Sequence, residues 1–326
     1  MISLVTGATG FIGSNLIQHL LNQGHNKIYA LVRNPAKLRK LNFSPGASNL
    51  HIIQGDLSSL PPIPADCQVV FHLAGVTKAL KSEDYYTVNQ KGTASLLAKL
   101  EENDLRPRLV LLSSLAAGRP AEAGKPVKED EPPIPASPYG HSKLLQEGEA
   151  LKYSHKMQVI ILRAAAIYGP GDLDFLQFFQ IIKKGWLVTF TKKIIMSLCY
   201  VHDLVRAMEI SASPGLKTGQ IYNVADPIPR TWEEIGLEAA RILNRRVKAL
   251  KLPLWLVHGA AAGSELISRL SGKASPLNLS KYHDMEKLSW VADTTKIKEE
   301  LGFETKWDFG RALEETLIWY QKVGWL

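Results

Sequence analysis

Cysteine is nearly absent: Cys67 and Cys199 are the only two in 326 residues. That excludes a disulfide framework and a cysteine-built zinc site, and it points to a reducing, cytoplasmic compartment. Long apolar runs are missing too. Residues 1–26 hold no Lys, Arg, Asp or Glu, yet Thr6, Thr9, Ser14, Asn15 and Gln18 interrupt them. Without a positive leading segment they read as neither signal peptide nor membrane span. The stretch 252–264 is too short to span and contains Pro253 and His258. Repeats and low-complexity tracts are absent, and the nine histidines are scattered, so no metal is expected. The most informative absence is acidic. No Asp or Glu precedes Asp56, whereas Lys27, Arg33, Lys37, Arg39 and Lys40 all do. Much of the formal charge, 39 minus 31 or +8, therefore sits in one short segment. No recognised nucleic-acid-reading module accompanies it, so neither nucleic acid nor membrane is expected as a partner.

A hydrophobic fraction of 45 % with 21 % charged residues is enough to build a large soluble core. Apolar runs at 2–6, 27–33, 50–54, 68–74, 108–113 and 158–163 alternate with helical patterns at 11–23, 83–103 and 138–153. Such alternation predicts an α/β fold, a doubly wound parallel sheet covered on both faces. Pro61, Pro62 and Pro64 argue against a crossover helix over 58–66. Residues 116–138 read as a long surface loop. Beyond 163 the pattern is irregular, and only 221–225 reads again as a core strand. The expected division is a nucleotide-binding domain over 1–166, joined by a strand and helix around 199–225. A smaller C-terminal substrate lobe takes 167–198 and 226–326.

Strand 2–6 runs into Thr6-Gly7-Ala8-Thr9-Gly10-Phe11-Ile12-Gly13 and then a helical pattern. Glycines at 7, 10 and 13 allow a tight turn, close approach to a pyrophosphate and close helix packing, with helix N–H groups facing the phosphates. A dinucleotide is the expected ligand. An acid about 20 residues past the last glycine would bind the ribose 2′-hydroxyl of NAD. Arg33 occupies that place, with Lys37 following, so a 2′-phosphate fits better and NADP is favoured over NAD. Asp56 is placed to accept from the adenine amino group or merely to cap its turn. His72-Leu73-Ala74-Gly75 offers a small strand end near the cofactor ribose.

Ser113 and Ser114 close a strand, and Tyr139-Gly140-His141-Ser142-Lys143 opens a helix. Positions 139 and 143 are one turn apart and share a face. A cation roughly 5 Å from a phenol, at an effective dielectric of about 20, contributes about 3 kcal/mol. Lys143 is therefore expected to bring Tyr139 within working range of neutral pH. The chemistry this suggests is hydride transfer, with Tyr139 exchanging the proton and Ser114 hydrogen-bonding the substrate oxygen.

With these motifs the chain resembles an extended short-chain dehydrogenase/reductase, the superfamily that includes the NAD-dependent epimerase/dehydratase family. The likeness covers TGATGFIG at 6–13, GD at 55–56, HLAG at 72–75, Asn89 in VNQKGT and LSS at 112–114. It continues through YGHSK at 139–143, LRAAAIYGPGD at 162–172 and YVHDLV at 200–205. The resemblance implies a Rossmann sheet of order 3-2-1-4-5-6-7, a catalytic triad of Ser114, Tyr139 and Lys143, and a homodimer. It implies cofactor contacts from Gly7, Thr9, Gly10, Phe11, Ile12 and Gly13, from Arg33, Lys37, Asp56 and Leu57, and from Leu73, Ala74 and Gly75. Asn89, Leu112, Ser113, Tyr139, Lys143 and Ala166 complete that set.

Departures from the family pattern bear on substrate. Ala164-Ala165-Ala166 stands where nucleotide-sugar enzymes often have an asparagine, and Met196-Ser197-Leu198-Cys199 where they often have an arginine. Leu115-Ala116 replaces the Asp-Glu pair of sugar dehydratases. Phe175, Phe178, Phe179, Trp186, Phe190, Trp255 and Leu256 form either lobe core or the wall of an apolar pocket. Lys183, Lys184, Lys192 and Lys193 hold an anionic group or form a solvated face. The expected activity is NADP-dependent carbonyl reduction or alcohol oxidation on a small, partly apolar metabolite. A nucleotide-sugar epimerase with tightly bound NAD and a non-catalytic cofactor sensor are the alternatives.

Overall fold

The computed structural model describes residues 1–41, 43, 47–122, 125–271, 279–287 and 289–326. Seven strands form the central sheet: β1 (Ile2–Thr6), β2 (Lys27–Val32), β3 (Leu50–Gln54), β4 (Val69–His72), β5 (Arg108–Ser114), β6 (Val159–Ala164) and β7 (Gln220–Val224). Every neighbouring pair is parallel, in the order 3-2-1-4-5-6-7. Strand residues are apolar on both sides because both faces are covered. Val5, Phe71, Val110 and Ile160 face helices α1 (Phe11–Asn22) and, through Val205 and Met208, a helix at Val201–Ser211. Leu4, Val70, Leu111 and Ile161 face α2 (Gly92–Glu102) and α3 (Pro138–Leu151).

Three departures from the sequence reading have local causes. β4 stops at His72 rather than 74, because the Leu73 and Ala74 amides turn to donate to Thr6 Oγ1 at 3.2 and 3.1 Å. The helix expected over 83–103 is a short turn at Ser82–Tyr85, a π-helical turn at Tyr86–Lys91, and then α2. The loop after β5 is stitched to the C-terminal segment: Ala121 N donates to Ser289 O and Val127 N to Val291 O.

The lobe has its own core. Helices α4 (Leu176–Lys183), α5 (Val201–Ser211), α6 (Trp232–Ile242) and α7 (Phe309–Lys322) gather around Phe175, Phe178, Phe179 and Tyr320. Trp232 lies 4.3 Å from Phe178, ring centroid to centroid. These three phenylalanines are therefore core and not a pocket wall, whereas Trp186, Trp255 and Leu256 stay on the surface. Among the described residues, no helix is long and apolar enough to cross a membrane.

Candidate active site

The site forms at the carboxyl edge of the sheet, where β1, β4 and β5 end. Gly7 turns the chain with φ +69°, and a Cβ there would stand 2.9 Å from Ala74 N. At Gly13 a Cβ would meet Gly7 O at 2.2 Å, so α1 can start this close to β1 only without one. Gly10 caps α1 without a side chain. The N–H groups of Phe11, Ile12 and Gly13, with Thr9 just ahead of them, thus form the positive helix end that an anion would meet.

Arg33 follows β2 and shares a pocket with Gln54, Gly55, Asp56, Ser59, Leu60 and Pro61 at the end of β3. It is exposed, as is Lys37 in the short helix Pro35–Arg39. Among the described residues no carboxylate forms an ion pair with Arg33. Asp56 caps its own turn, with its Oδ1 accepting from the Ser58 hydroxyl (2.5 Å) and from the Ser58 (2.8 Å) and Ser59 (3.2 Å) amides. Those bonds hold its carboxyl below the ordinary range, with Arg33 assisting. Leu57 packs beneath Gly92 at the start of α2.

Ser114 ends β5, and its hydroxyl accepts from Ala116 N at 3.2 Å and hydrogen-bonds the Tyr139 phenol. Tyr139 lies in the first turn of α3, which Pro138 starts and Ser137 caps through Gly140 N at 3.0 Å. Lys143, one turn on, is buried and donates to Leu112 O at 2.8 Å and to Gln146 Oε1. Burial pushes its pKa down to about 8, with the Glu147 charge opposing. The expected effect of Lys143 on Tyr139 is not realised. Burial pushes the phenol up to about 12, the Ser114 hydrogen bond opposes, and the Asp284, Tyr85 and Asp174 charges add to the rise. The ammonium is turned away toward Leu112 and Gln146.

Beneath this corner runs a buried polar chain. Thr6 Oγ1 meets His72 Nδ1 at 2.7 Å, and His72 Nε2 meets Thr93 Oγ1 at 2.7 Å. Gln146 Nε2 donates to Thr93 Oγ1 at 2.9 Å and so links the chain to Lys143. Asn89, set inward by the π-helical turn, accepts from Val76 N at 2.8 Å and donates to Ser142 Oγ at 2.9 Å. Such turns often mark functional positions in helices. Gly75 faces the same space, where a Cβ would lie 3.0 Å from Asn89 Oδ1 and 4.0 Å from Lys143 Nζ. Ser113 is directed elsewhere, its hydroxyl donating to Glu147 Oε1 at 2.5 Å. Arg163 completes that cluster with bonds of 2.9 and 2.8 Å to the two Glu147 oxygens. Sequence reasoning overlooked Gln146, Glu147, Thr93 and Arg163 as parts of the site. The spacing 139, 143, 146, 147 on one helix face was the available signal.

The lobe closes over this corner. Lys78, beyond β4, pairs with Asp174, and the Tyr85 ring meets Tyr139 edge-on at 6.0 Å. Ala166 begins a short strand, Ala166–Tyr168, that pairs with Leu198–Tyr200. Met196 stands opposite Arg230, whose guanidinium lies 4.1 Å from the Phe309 ring centroid.

The family model described as "NAD dependent epimerase/dehydratase family" matches residues 3–225. The chain is 26 % identical over 329 residues to the ceramide reductase of Caulobacter vibrioides, spanning 99 % of this chain and 95 % of that one. It is 24 % identical over 342 residues to the 3-beta-hydroxysteroid dehydrogenase of Mycolicibacterium neoaurum, spanning 97 % and 90 %. Its fold matches the UDP-glucuronic acid 4-epimerase from Bacillus cereus, solved with UDP-glucuronic acid and NAD. The TM-score is 0.79 at 22 % identity, over 99 % of this chain and 100 % of that one. A glycine-turned β1–α1 junction, a seven-stranded parallel sheet and a match over residues 3–225 agree, and the chain belongs to the NAD dependent epimerase/dehydratase family.

Proposed function

We propose that the protein is an NADP-dependent reductase of a small, partly apolar carbonyl compound, acting through Ser114, Tyr139 and Lys143. The observation that carries this reading is the Ser114–Tyr139 hydrogen bond at the start of the helix whose next turn buries the Lys143 ammonium before Gly75. When bound, NADP supplies the hydride. The chain's own groups do the rest. The α1 N-terminus takes the pyrophosphate, Arg33 and Lys37 take the 2′-phosphate, and Lys143 donates to the nicotinamide ribose. Ser114 orients the carbonyl oxygen, and Tyr139 gives it a proton. The phenol, raised by burial, is protonated at neutral pH, the form that gives a proton to a carbonyl oxygen. Likeness to a ceramide reductase and a hydroxysteroid dehydrogenase supports an apolar substrate, as does the run Ala164-Ala165-Ala166.

The test is mass spectrometry of any cofactor released from the purified protein, with NADPH and NADH titrations of wild type and Arg33→Ala. Removing two charge-assisted hydrogen bonds should weaken NADPH about 10- to 100-fold and leave NADH unchanged. An equal loss for both cofactors would refute the 2′-phosphate role. A second reading, nucleotide-sugar epimerase, is favoured by the structural match to the Bacillus cereus enzyme. Tightly retained NAD would carry it.

A further inference from the structure

The lobe presents a second feature outside the corner just described. Strand Trp186–Phe190 pairs in parallel with Lys248–Leu252, and helix Leu254–Ser271 follows at once. Leu187 and Thr189 are buried, so the alternate residues point outward. Trp186 is 48 % exposed and Leu250 is 44 % exposed on that outer face. On the helix, Val257 and Ala261 pack inward near Phe190 and Tyr282. Trp255 (69 %) and Leu256 (42 %) point out, with Gly259, Ala260, Ala262 and Gly263 continuing the exposed side and His258, stacked edge-on against Tyr282, as its polar residue. A solvated helix ordinarily carries polar residues there. This one has no charged residue from 252 to 264.

Cations frame the patch. Lys183, Lys184, Arg245 and Arg246 stand where the two strands begin, joined by Lys248 N to Gly185 O at 2.9 Å. Lys192 and Lys193 stand where they end, beside the Thr191 N to Leu252 O bond of 3.0 Å. Between them Lys248 shares the outer face with Trp186, and Lys251, opposite Thr189, edges the other side. All eight are exposed, and none forms an ion pair among the described residues. The sequence has no Asp or Glu at 183–202 or at 239–264.

We propose that this face docks on an anionic lipid surface, with Trp255 and Leu256 in the headgroup boundary and the lysines against the lipid charge. Exposed tryptophan beside aliphatic side chains and a basic rim is the chemistry of an interfacial helix. A second copy of the chain fits poorly, since a two-fold contact would oppose like charges. Nucleic acid would leave Leu250, Leu256 and the small-residue helix face without a role. A helix that lies in the surface needs no spanning length. Its position is apt. The helix packs through Val257 and Ala261 on Tyr282, and Asp284, two residues on, is close enough for its charge to act on Tyr139. The inference rests on the patch and not on the reductase reading.

Cosedimentation with phosphatidylcholine vesicles, with and without phosphatidylglycerol, tests it on the full chain. Binding should require phosphatidylglycerol and fall with salt. Trp255→Ser with Leu256→Ser should weaken it at least about tenfold, and Lys248→Gln about fivefold. NADPH binding by every variant reports that the fold is intact. Absence of vesicle binding overturns the proposal, as does binding that both sets of variants keep. Equal or tighter binding to single-stranded RNA, lost in the same variants, overturns it in favour of nucleic acid. A fall in mass by light scattering in the Trp255/Leu256 variant overturns it in favour of a second copy. Vesicle binding without NADPH preference would leave docking standing and remove only the Arg33 reading.

Discussion

Breaking the Glu147–Arg163 pair should cost more than any exposed ion pair in the molecule. The two side chains are 2 % and 5 % exposed, and both carboxylate oxygens are engaged by the guanidinium, with Ser113 adding a third bond. Glu147→Leu leaves a buried, uncompensated guanidinium, and Arg163→Met leaves a buried carboxylate. Each should lose about 3–5 kcal/mol. Replacing both removes the uncompensated charge, so the double variant should recover most of that loss, giving a coupling of about 2 kcal/mol or more. Urea unfolding at neutral pH, with wild type, both singles and the double, measures the cycle. Strict additivity, or a single-variant loss below about 1 kcal/mol, would refute the claim that this pair is desolvated and mutually dependent. The same substitution has a second readout. Glu147 opposes the fall in the Lys143 pKa, so without it the ammonium should lose its proton below about 8. The alkaline limb of the pH–activity profile should then move to lower pH. A purely structural role would lower stability and leave that limb in place.

Tyr139→Phe should lower turnover by roughly 100- to 10,000-fold while NADPH still binds. Surviving turnover would show that another group supplies the proton. Asp226 is buried, and the Arg230 charge and the Tyr200 amide only partly offset the cost of burying its carboxylate. Burial, with Asp203 adding, pushes its pKa from 3.8 up to about 7. The folded state therefore holds this proton more tightly, and the group's contribution to stability falls as pH rises from about 4 to 7. Asp226→Asn should stabilise the protein at pH 8 by up to about 4 kcal/mol and leave it unchanged near pH 4. A gain that does not depend on pH would contradict that account.

The sheet and the glycine turn were legible because they are written locally. Strand runs buried on both faces and a glycine triplet between strand and helix need no distant partner to be read. What escaped depends on partners remote in sequence. Gln146 and Glu147 share a face with Lys143, but their meaning comes from Thr93 on α2 and Arg163 on β6. The π-helical turn is likewise set by what Asn89 must reach, namely Val76 and Ser142. In the lobe, Trp186–Phe190 pairs with Lys248–Leu252, and nothing near either strand announces the other. The surface tryptophans could not be told from core ones without that pairing.

Burial raises the Tyr139 pKa where a fall was expected, and the reason Lys143 does not offset it lies in how the buried chain is polarised. Thr6 Oγ1 accepts the Leu73 and Ala74 amides, so its own proton goes to His72 Nδ1. His72 must then carry its proton on Nε2 and donate to Thr93 Oγ1. Thr93 donates to Asn89 O at 2.7 Å and also accepts from Gln146 Nε2, which turns Gln146 Oε1 toward Lys143. Only a neutral His72 satisfies every one of these bonds, in keeping with burial and the Lys143 charge pushing its pKa down to about 3. Two of the Lys143 N–H groups are thereby assigned, to Gln146 Oε1 and Leu112 O. The third remains for the space before Gly75, whose missing Cβ would lie 4.0 Å from the ammonium. In this frame Lys143 aims a fixed donor at the space before Gly75 and is not a direct partner of the phenol.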